Sequence, residues 1–203
     1  MLVRNLEQLD SIYDTPPAPA SVNKEVDRIT PEYRALIEAS PFVALATIGP
    51  EGLDCSPRGD APGFVRVADS KTLILPDRRG NNRIDSLRNI VRDPRVALLF
   101  LIPGSGTTFR VNGRAAISAD PDLLASFAVG AALPRTAIII SVEGAYFQCA
   151  RAIVRSKLWD PSHYADIGSL PTPGAMLAAL SGGDVGGKEY DDEWPSRALK
   201  SLW

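Results

Sequence analysis

The chain has 203 residues, of which 45% are hydrophobic and 23% are charged, as in an ordinary globular protein of one domain with short extensions. Its formal net charge of -2 argues against a general nucleic-acid binder, which is usually distinctly basic. No apolar run is long enough to cross a membrane. The charged N-terminus lacks the apolar core of a secretory signal, so we expect a cytoplasmic protein.

The cysteine and histidine content limits the chemistry further. Cys55 and Cys149 are the only cysteines, too few for a disulfide framework, and we expect both to fill space as small buried apolar residues. His163 is the only histidine, and no Cys/His cluster has metal-ligand spacing, so no metal site is predicted. A Ser-His-Asp triad would depend on His163, in a loop after Pro161, and is disfavoured.

Three regions follow one another along the chain. Residues 1–30 are polar and contain a proline-rich patch, which predicts an N-terminal arm that packs along a core or a partner. Thr30 and Pro31 then begin a helix, as N-cap and first helical residue, and open the main domain, 31–160. We expect residues 161–203 to form a C-terminal extension that packs on the barrel and contains two short helices.

Apolar runs separated by turn residues predict strands through the main domain. A proline within the second run, Pro57, marks it as an edge or bulged strand. Helices are expected near 83–92 and 120–127. The fold class is therefore mainly β with peripheral helices, as an antiparallel barrel. The predicted strands are 42–48, 53–60, 64–67, 72–75, 95–102, 107–118 and 136–149.

A basic, amide-rich loop joins the strand at 72–75 to the helix at 83–92. Free backbone N–H groups and the positive dipole end of a helix N-terminus favour an anion, and arginine adds planar donors suited to phosphate. The loop therefore predicts a phosphate site, although it could instead be a solvated helix cap. Its candidate ligands are Asp77, Arg78, Asn81, Asn82 and Arg83, and Arg79 lies among them in the same basic group.

Two further arginines, Arg88 and Arg92, lie one turn apart on the predicted helix. We expect them on its solvent-exposed face, outside the phosphate site.

The order of these pieces resembles the pyridoxamine 5′-phosphate oxidase-related flavoproteins. The resemblance covers about residues 32–160 and implies a split β-barrel that binds FMN at a homodimer interface. The pieces that carry it are the opening strand at 42–48, the second strand at 56–60, the loop at 77–83 and the strands at 93–100 and 109–115.

The resemblance also implies which residues would surround the flavin. Arg58 lies where that family runs its backbone past the ring, although a surface pair with Asp60 is an alternative. Thr107 and Thr108 could reach the ring or the phosphate, or be ordinary strand residues. Three residues could complete the ring pocket from a second subunit, or could instead pack in the dimer interface. They are Phe147, Lys157 and Trp159.

Two departures from the family bear on the substrate. Where its vitamin-synthesising enzymes carry a Ser-Arg-Lys phosphate motif, this chain has Asn-Asn-Arg at 81–83, and their Arg-Leu-His substrate motif has no counterpart at 155–159. We therefore expect an FMN-dependent oxidoreductase with a nicotinamide donor or small-molecule substrate, and not a pyridoxamine-phosphate oxidase. No residue stands out as catalytic acid or base.

Other functions on the same fold remain open. They are a non-catalytic FMN-binding electron carrier, flavin store or redox sensor, and a deazaflavin-dependent reductase. The apolar strands at 95–102 and 136–142 also favour a homodimer, because they exceed what one small barrel need bury.

Overall fold

Seven strands form one antiparallel sheet in the computed structural model, which describes residues 2–202. They are β1 (Phe42–Gly49), β2 (Gly52–Gly59), β3 (Arg66–Asp69), β4 (Thr72–Asp77), β5 (Arg95–Leu101), β6 (Thr108–Ser118) and β7 (Thr136–Gln148). Their order across the sheet is β2-β1-β5-β6-β7-β4-β3, so β2 and β3 are its two edges.

The sheet wraps around the main apolar core, to which every strand except β2 contributes. Large side chains such as Phe100, Phe109 and Ile138 are fully buried there. No hydrogen-bonded pairing joins β2 to β3 in the described chain, so the sheet is curved but not closed. This architecture confirms the predicted antiparallel split-barrel class with helices at its periphery.

Residues 2–202 also contain eight α-helices. They are α1 (Leu6–Asp10), α2 (Pro19–Asn23), α3 (Pro31–Glu38), α4 (Asp85–Arg92), α5 (Pro121–Ala125), α6 (Arg151–Ser156), α7 (Pro173–Leu180) and α8 (Gly187–Leu199). The predicted cap of α3 is confirmed, because the Thr30 hydroxyl accepts a hydrogen bond from the Tyr33 N–H. Helices α1, α2 and α6 were not predicted. No helix in this part of the chain is long and apolar enough to span a membrane.

Pro57 lies in an edge strand, as predicted, and pairs with Ala44 in unbroken register. The register shift in the long β6–β7 pair instead occurs between Asn112 and Gly113. A Cβ at Gly113 would lie 2.1 Å from the Ser141 carbonyl oxygen, so this close approach of two backbones requires glycine.

The apolar strands that favoured a dimer are largely accommodated inside one chain. Val96, Leu98 and Ile140 are each at most 6% exposed. Because the curved sheet buries these residues by itself, they do not require a partner.

Both cysteines are exposed, so the prediction that they fill space in the core was wrong. Cys55 lies on the edge strand β2, which contributes nothing to the core. Cys149 follows the last residue of β7. A hydrogen bond from the Arg151 backbone N–H lowers the pKa of the Cys149 thiol, and the charges of Arg151 and Lys24 act in the same direction.

We expect Cys149 to react with iodoacetamide at lower pH than an ordinary thiol, because a lowered pKa leaves more thiolate near neutral pH. The rate of labelling against pH, followed by mass spectrometry, measures this. Replacing both cations, Lys24→Gln with Arg151→Gln, should raise the midpoint of the profile and leave the labelling of Cys55 unchanged. A parent midpoint at or above that of a free thiol would contradict the assignment.

Helix α4 is fixed to the β1–β2 hairpin by a buried amide. Asn89 is 7% exposed and donates a hydrogen bond from its Nδ2 to the Thr47 hydroxyl, at 3.1 Å. The hairpin residue Gly49 leaves room for this amide, since a Cβ there would lie 2.2 Å from the Asn89 Oδ1. This packing sets the position of the α4 N-terminus, and Arg88 and Arg92 lie exposed on the helix as predicted.

Candidate functional site

A cavity of about 990 Å³ lies where β2, the end of β4 and the N-terminus of α4 meet. It contains six of the predicted site residues, namely Arg58, Asp77, Arg78, Asn81, Asn82 and Arg83. The other lining residues are Asp54, Ser56, Pro57, Gly59, Phe64, Pro76, Arg79, Gly80, Ile84, Asp85, Ser86, Leu87, Ala132, Leu133, Arg135 and Thr136.

Arg58 is fixed in the wall of this cavity by a chain of polar contacts. Its Nη1 lies 2.6 Å from the Asp77 carboxylate, and both side chains are at most 20% exposed. Its Nε donates to the Ser56 hydroxyl at 3.3 Å. The Ser56 and Ser86 hydroxyls lie 3.0 Å apart, and Ser86 donates onward to Asp54 at 3.0 Å. Arg58 therefore pairs with Asp77 in the wall of the cavity.

Arg78 ties the loop to two other parts of the chain. Its Nε donates to the Asp60 carboxylate at 2.6 Å, and its Nη1 donates to the Phe127 carbonyl oxygen at 2.7 Å. The Arg78 and Asp60 side chains are only 16% and 5% exposed. This arginine thus holds the base of the loop in place, while others reach the open part of the cavity.

Three other arginines line the cavity more openly. The Arg83 side chain is 77% exposed and pairs with Asp85 at 2.8 Å. Arg135 lies 3.4 Å from the Asn82 side-chain oxygen. Within residues 2–202, the guanidinium of Arg79 makes no hydrogen bond or ion pair. Five arginines and three carboxylates line the cavity, so it favours an anion.

The loop reaches α4 through two unusual backbone conformations. Asn82 and Ile84 have φ values of 62° and 52°, which are uncommon for residues other than glycine and most unusual for a β-branched side chain. The Asn81 side chain accepts a hydrogen bond from the Arg83 N–H. The first helical hydrogen bond runs from the Arg88 N–H to the Ile84 carbonyl, so the amides of the first turn have no partner within the helix.

The remaining predicted site residues lie elsewhere in the chain. Thr108 is at the start of β6 opposite Gln148, whereas Asp77 is opposite Thr136 at the other end of β7. Those two ends of β7 are separated by about 40 Å measured along the strand. The curvature of the sheet makes the direct distance shorter. One chain therefore does not bring both groups of predicted residues to one small ligand. The distant group comprises Thr107, Thr108, Phe147, Lys157 and Trp159.

Several contacts hold this distant group together. The Trp159 indole N–H donates to the Ser105 carbonyl at 2.7 Å, next to the start of β6. The Lys157 Nζ lies 2.6 Å from the His163 Nε2, and the His163 Nδ1 lies 3.0 Å from the Asp160 carboxylate. The hydroxyl and N–H of Ser162 both bond to Asp160, and the hydroxyl contact contributes most to lowering the pKa of that carboxyl.

Phe147, the last member of the distant group, contacts an aromatic ring and a lysine. It is 40% exposed and packs edge-on against Tyr33, with the Lys24 Nζ 5.1 Å from its ring centre.

Sequence reasoning missed six polar residues of the cavity: Asp54, Ser56, Asp85, Ser86, Arg135 and Thr136. Ser56 occurs in the quoted second strand but was given no role, and Arg135 carried a weak signal because it immediately precedes β7. Only the pairing of β4 with β7 brings Arg135 beside the loop, and only the docking of α4 brings Ser86 against β2.

The family comparison agrees with the fold. Residues 29–149, more than half of the chain, match the sequence model described as pyridoxamine 5′-phosphate oxidase. No curated protein matches the chain.

Solved structures of similar shape span 59–60% of this chain. The HupZ protein of Group A Streptococcus is 22% identical, with 94% of its own chain covered and a TM-score of 0.50. A putative pyridoxamine 5′-phosphate oxidase from Lactobacillus delbrueckii is 23% identical, with 95% covered and a TM-score of 0.48. An F420 reductase is 22% identical, with 98% covered and a TM-score of 0.41.

At 22% identity and a TM-score of 0.50, the HupZ structure supports the fold alone. The sequence match identifies the family. Its matched segment contains every strand of the sheet and the entire basic loop. The chain therefore belongs to the pyridoxamine 5′-phosphate oxidase family.

Proposed function

We propose that this chain is an FMN-binding oxidoreductase whose cofactor occupies the cavity beside the 77–83 loop. The observation that carries the proposal is the cavity of about 990 Å³, which is lined by five arginines and by the N-terminal residues of α4. That volume is at the upper end of cofactor pockets. Family membership supports an oxidoreductase in general, and the arginines support a phosphate-bearing cofactor in particular.

The residues at the mouth of the cavity suit a phosphate group. Arg79, Arg83 and Arg135 offer planar donors, and the first amides of α4 add a positive dipole end. The Asp85 carboxylate at that helix end would oppose an anion, but Arg83 already neutralises it. We therefore assign the phosphate to these three arginines, and give Arg78 the supporting task of holding the loop.

The inner wall suits the polar edge of an isoalloxazine ring. Flavin chemistry, the transfer of a hydride or single electrons, would be supplied by the bound cofactor. Asp77 and Ser56 hold the Arg58 guanidinium in place. Arg58 would therefore present a fixed positive charge to the ring. The Thr136 hydroxyl, which is buried and has no hydrogen-bond partner in the described chain, lies beside the same cavity.

A second copy of the chain would complete the site. Thr107, Thr108, Phe147, Lys157 and Trp159 cannot reach this cavity from their own chain, as the strand register indicates. In a homodimer they could approach the partner's cavity, which is the arrangement that the family resemblance implies.

We expect the substrate to be a small molecule other than pyridoxamine 5′-phosphate, with a reduced nicotinamide as electron donor. The stretch at 155–159 has no histidine. His163, although folded back against Lys157, is engaged with Asp160 and Ser162.

The electron donor is tested by mixing FMN-loaded protein anaerobically with NADH or NADPH and following the flavin absorbance. The proposal predicts bleaching by one of them and colour recovery when oxygen or a substrate is added. Pyridoxamine 5′-phosphate should give no turnover. If dithionite bleaches the flavin and neither nicotinamide does, an electron carrier, flavin store or redox sensor becomes the better description. Tight binding of a deazaflavin in preference to FMN would indicate a deazaflavin-dependent reductase.

A further inference from the structure

An apolar groove of about 350 Å³ runs along the outer side of α4. Its floor is formed by Ile84, Leu87, Val91 and Ile117, and almost all of its lining surface is apolar. Ile84 and Val91 are 45% and 77% exposed. Aliphatic side chains that share one groove and remain this open offer apolar surface that a second protein segment would bury.

Two arginines at the rim of the groove lack anionic partners. Arg88 and Arg92 line it from positions i and i+4 of α4, where two like charges repel each other. Neither guanidinium makes a hydrogen bond or an ion pair anywhere in residues 2–202. The groove therefore fits a segment that presents apolar side chains together with carboxylates.

The N-terminal arm of this chain has that pattern. Leu6 and Leu9 lie three residues apart on one face of α1. Leu2 and Tyr13 stand four residues before Leu6 and four residues after Leu9, outside the helix. Leu6 and Tyr13 are 75% and 74% exposed, and Leu9, the most covered of the four, is still 40% exposed.

The arm also supplies the missing negative charge. Glu7 and Asp10 lie on α1 itself, next to this apolar face, and residues 2–23 are exposed throughout. The arm thus carries an uncovered apolar stripe and two carboxylates, where the groove has an uncovered apolar floor and two unpaired arginines.

We propose that the groove along α4 is the docking site for α1 of a second copy of this chain. The chain's own arm leaves from another part of the sheet. It is anchored where Val26 pairs with Ala145, opposite Val111, and where the Tyr33 hydroxyl donates to the Lys24 carbonyl. Ile117 lies six positions further along β6, about 20 Å of strand away, and the chain's own α1 is exposed and does not line the groove. An exchange of arms would cover both surfaces in each copy.

This interface would also affect the cavity, since Ile84 and Leu87 line both the cavity and the groove. Ile84 holds a left-handed backbone conformation that is costly for a β-branched residue. Packing of a partner's arm against Ile84 would help to keep the loop in that conformation. The docking itself does not depend on flavin binding.

Disulfide trapping between two preparations tests the proposal. Both carry Cys55→Ser and Cys149→Ser; one adds Leu9→Cys and the other adds Val91→Cys, at two exposed positions. When they are mixed and mildly oxidised, we expect a covalent dimer. A matched pair that joins Leu9→Cys to Leu199→Cys, exposed at the end of α8, should give much less.

A charge exchange adds a second readout. Arg88→Glu with Arg92→Glu should slow the trapping by about threefold or more, since two rim ion pairs become repulsive. Adding Glu7→Arg with Asp10→Arg to the other preparation should restore the rate. Trapping no faster than the Leu199 control would overturn the proposal. So would a chain carrying both Leu9→Cys and Val91→Cys that closes its disulfide only within itself, because its own arm would then be the occupant.

Discussion

Removing the two exposed arginines of the loop, Arg79→Ala with Arg83→Ala, should weaken FMN binding by about a hundredfold. Each charge-assisted hydrogen bond to a phosphate contributes about 1.5–3 kcal/mol, so each single variant should lose about tenfold or more. The Arg83 substitution removes only an exposed ion pair with Asp85, so it should hardly alter the stability of the fold. Quenching of flavin fluorescence, titrated for each variant, measures the dissociation constants.

Riboflavin is the control ligand, because it lacks the phosphate and should bind the parent and the double variant with similar weakness. Arg114→Ala, an exposed arginine on β6 that does not line the cavity, is the control variant and should bind FMN like the parent. An equal loss of FMN and riboflavin affinity in the double variant would mean that these arginines do not contact the phosphate.

Replacing Arg78 with methionine should lower the free energy of unfolding by about 2–3 kcal/mol, since it removes a largely buried charge from beside a carboxylate. Asp60 is 5% exposed and would lose a contact of 2.6 Å, and the Phe127 carbonyl would lose its donor. Urea unfolding followed by tryptophan fluorescence measures the change.

Arg83→Met makes the same chemical change at a side chain that is 77% exposed, and it should cost less than about 0.5 kcal/mol. If the Arg78 and Arg83 variants unfold at the same urea concentration, Arg78 does not hold the loop. Its pairing with Asp60 would then be of no more consequence than a surface contact.

The strands and the loop could be predicted because their signals are local. Thr30 and Pro31 specify the start of α3 through cap geometry, and apolar runs between turn residues specify all seven strands to within a few positions. Pro57 marked an edge strand, because it cannot donate a ladder hydrogen bond. The loop was legible because its arginines and amides are contiguous in sequence.

The rest of the site depends on contacts between distant segments. Arg135 joins the cavity only through the β4–β7 pairing, and Ser86 contacts Ser56 only because Asn89 fixes α4 to the hairpin. The loop arginines also have different roles, because Arg78 alone contacts Asp60 and the Phe127 carbonyl and so holds the loop. The sequence does not show these contacts. The exposure of Cys55 was missed because edge position, and not residue type, decides burial on β2.

The most direct test of the account is a titration of the flavin-free protein with FMN, followed by flavin fluorescence and by sedimentation of the complex. The account predicts saturable binding of one FMN per chain, tighter by about tenfold or more than that of riboflavin, because only FMN offers a phosphate to the arginines. Absence of saturable FMN binding at micromolar protein, or equal affinity for riboflavin, would contradict the assignment of the cavity as a flavin phosphate site.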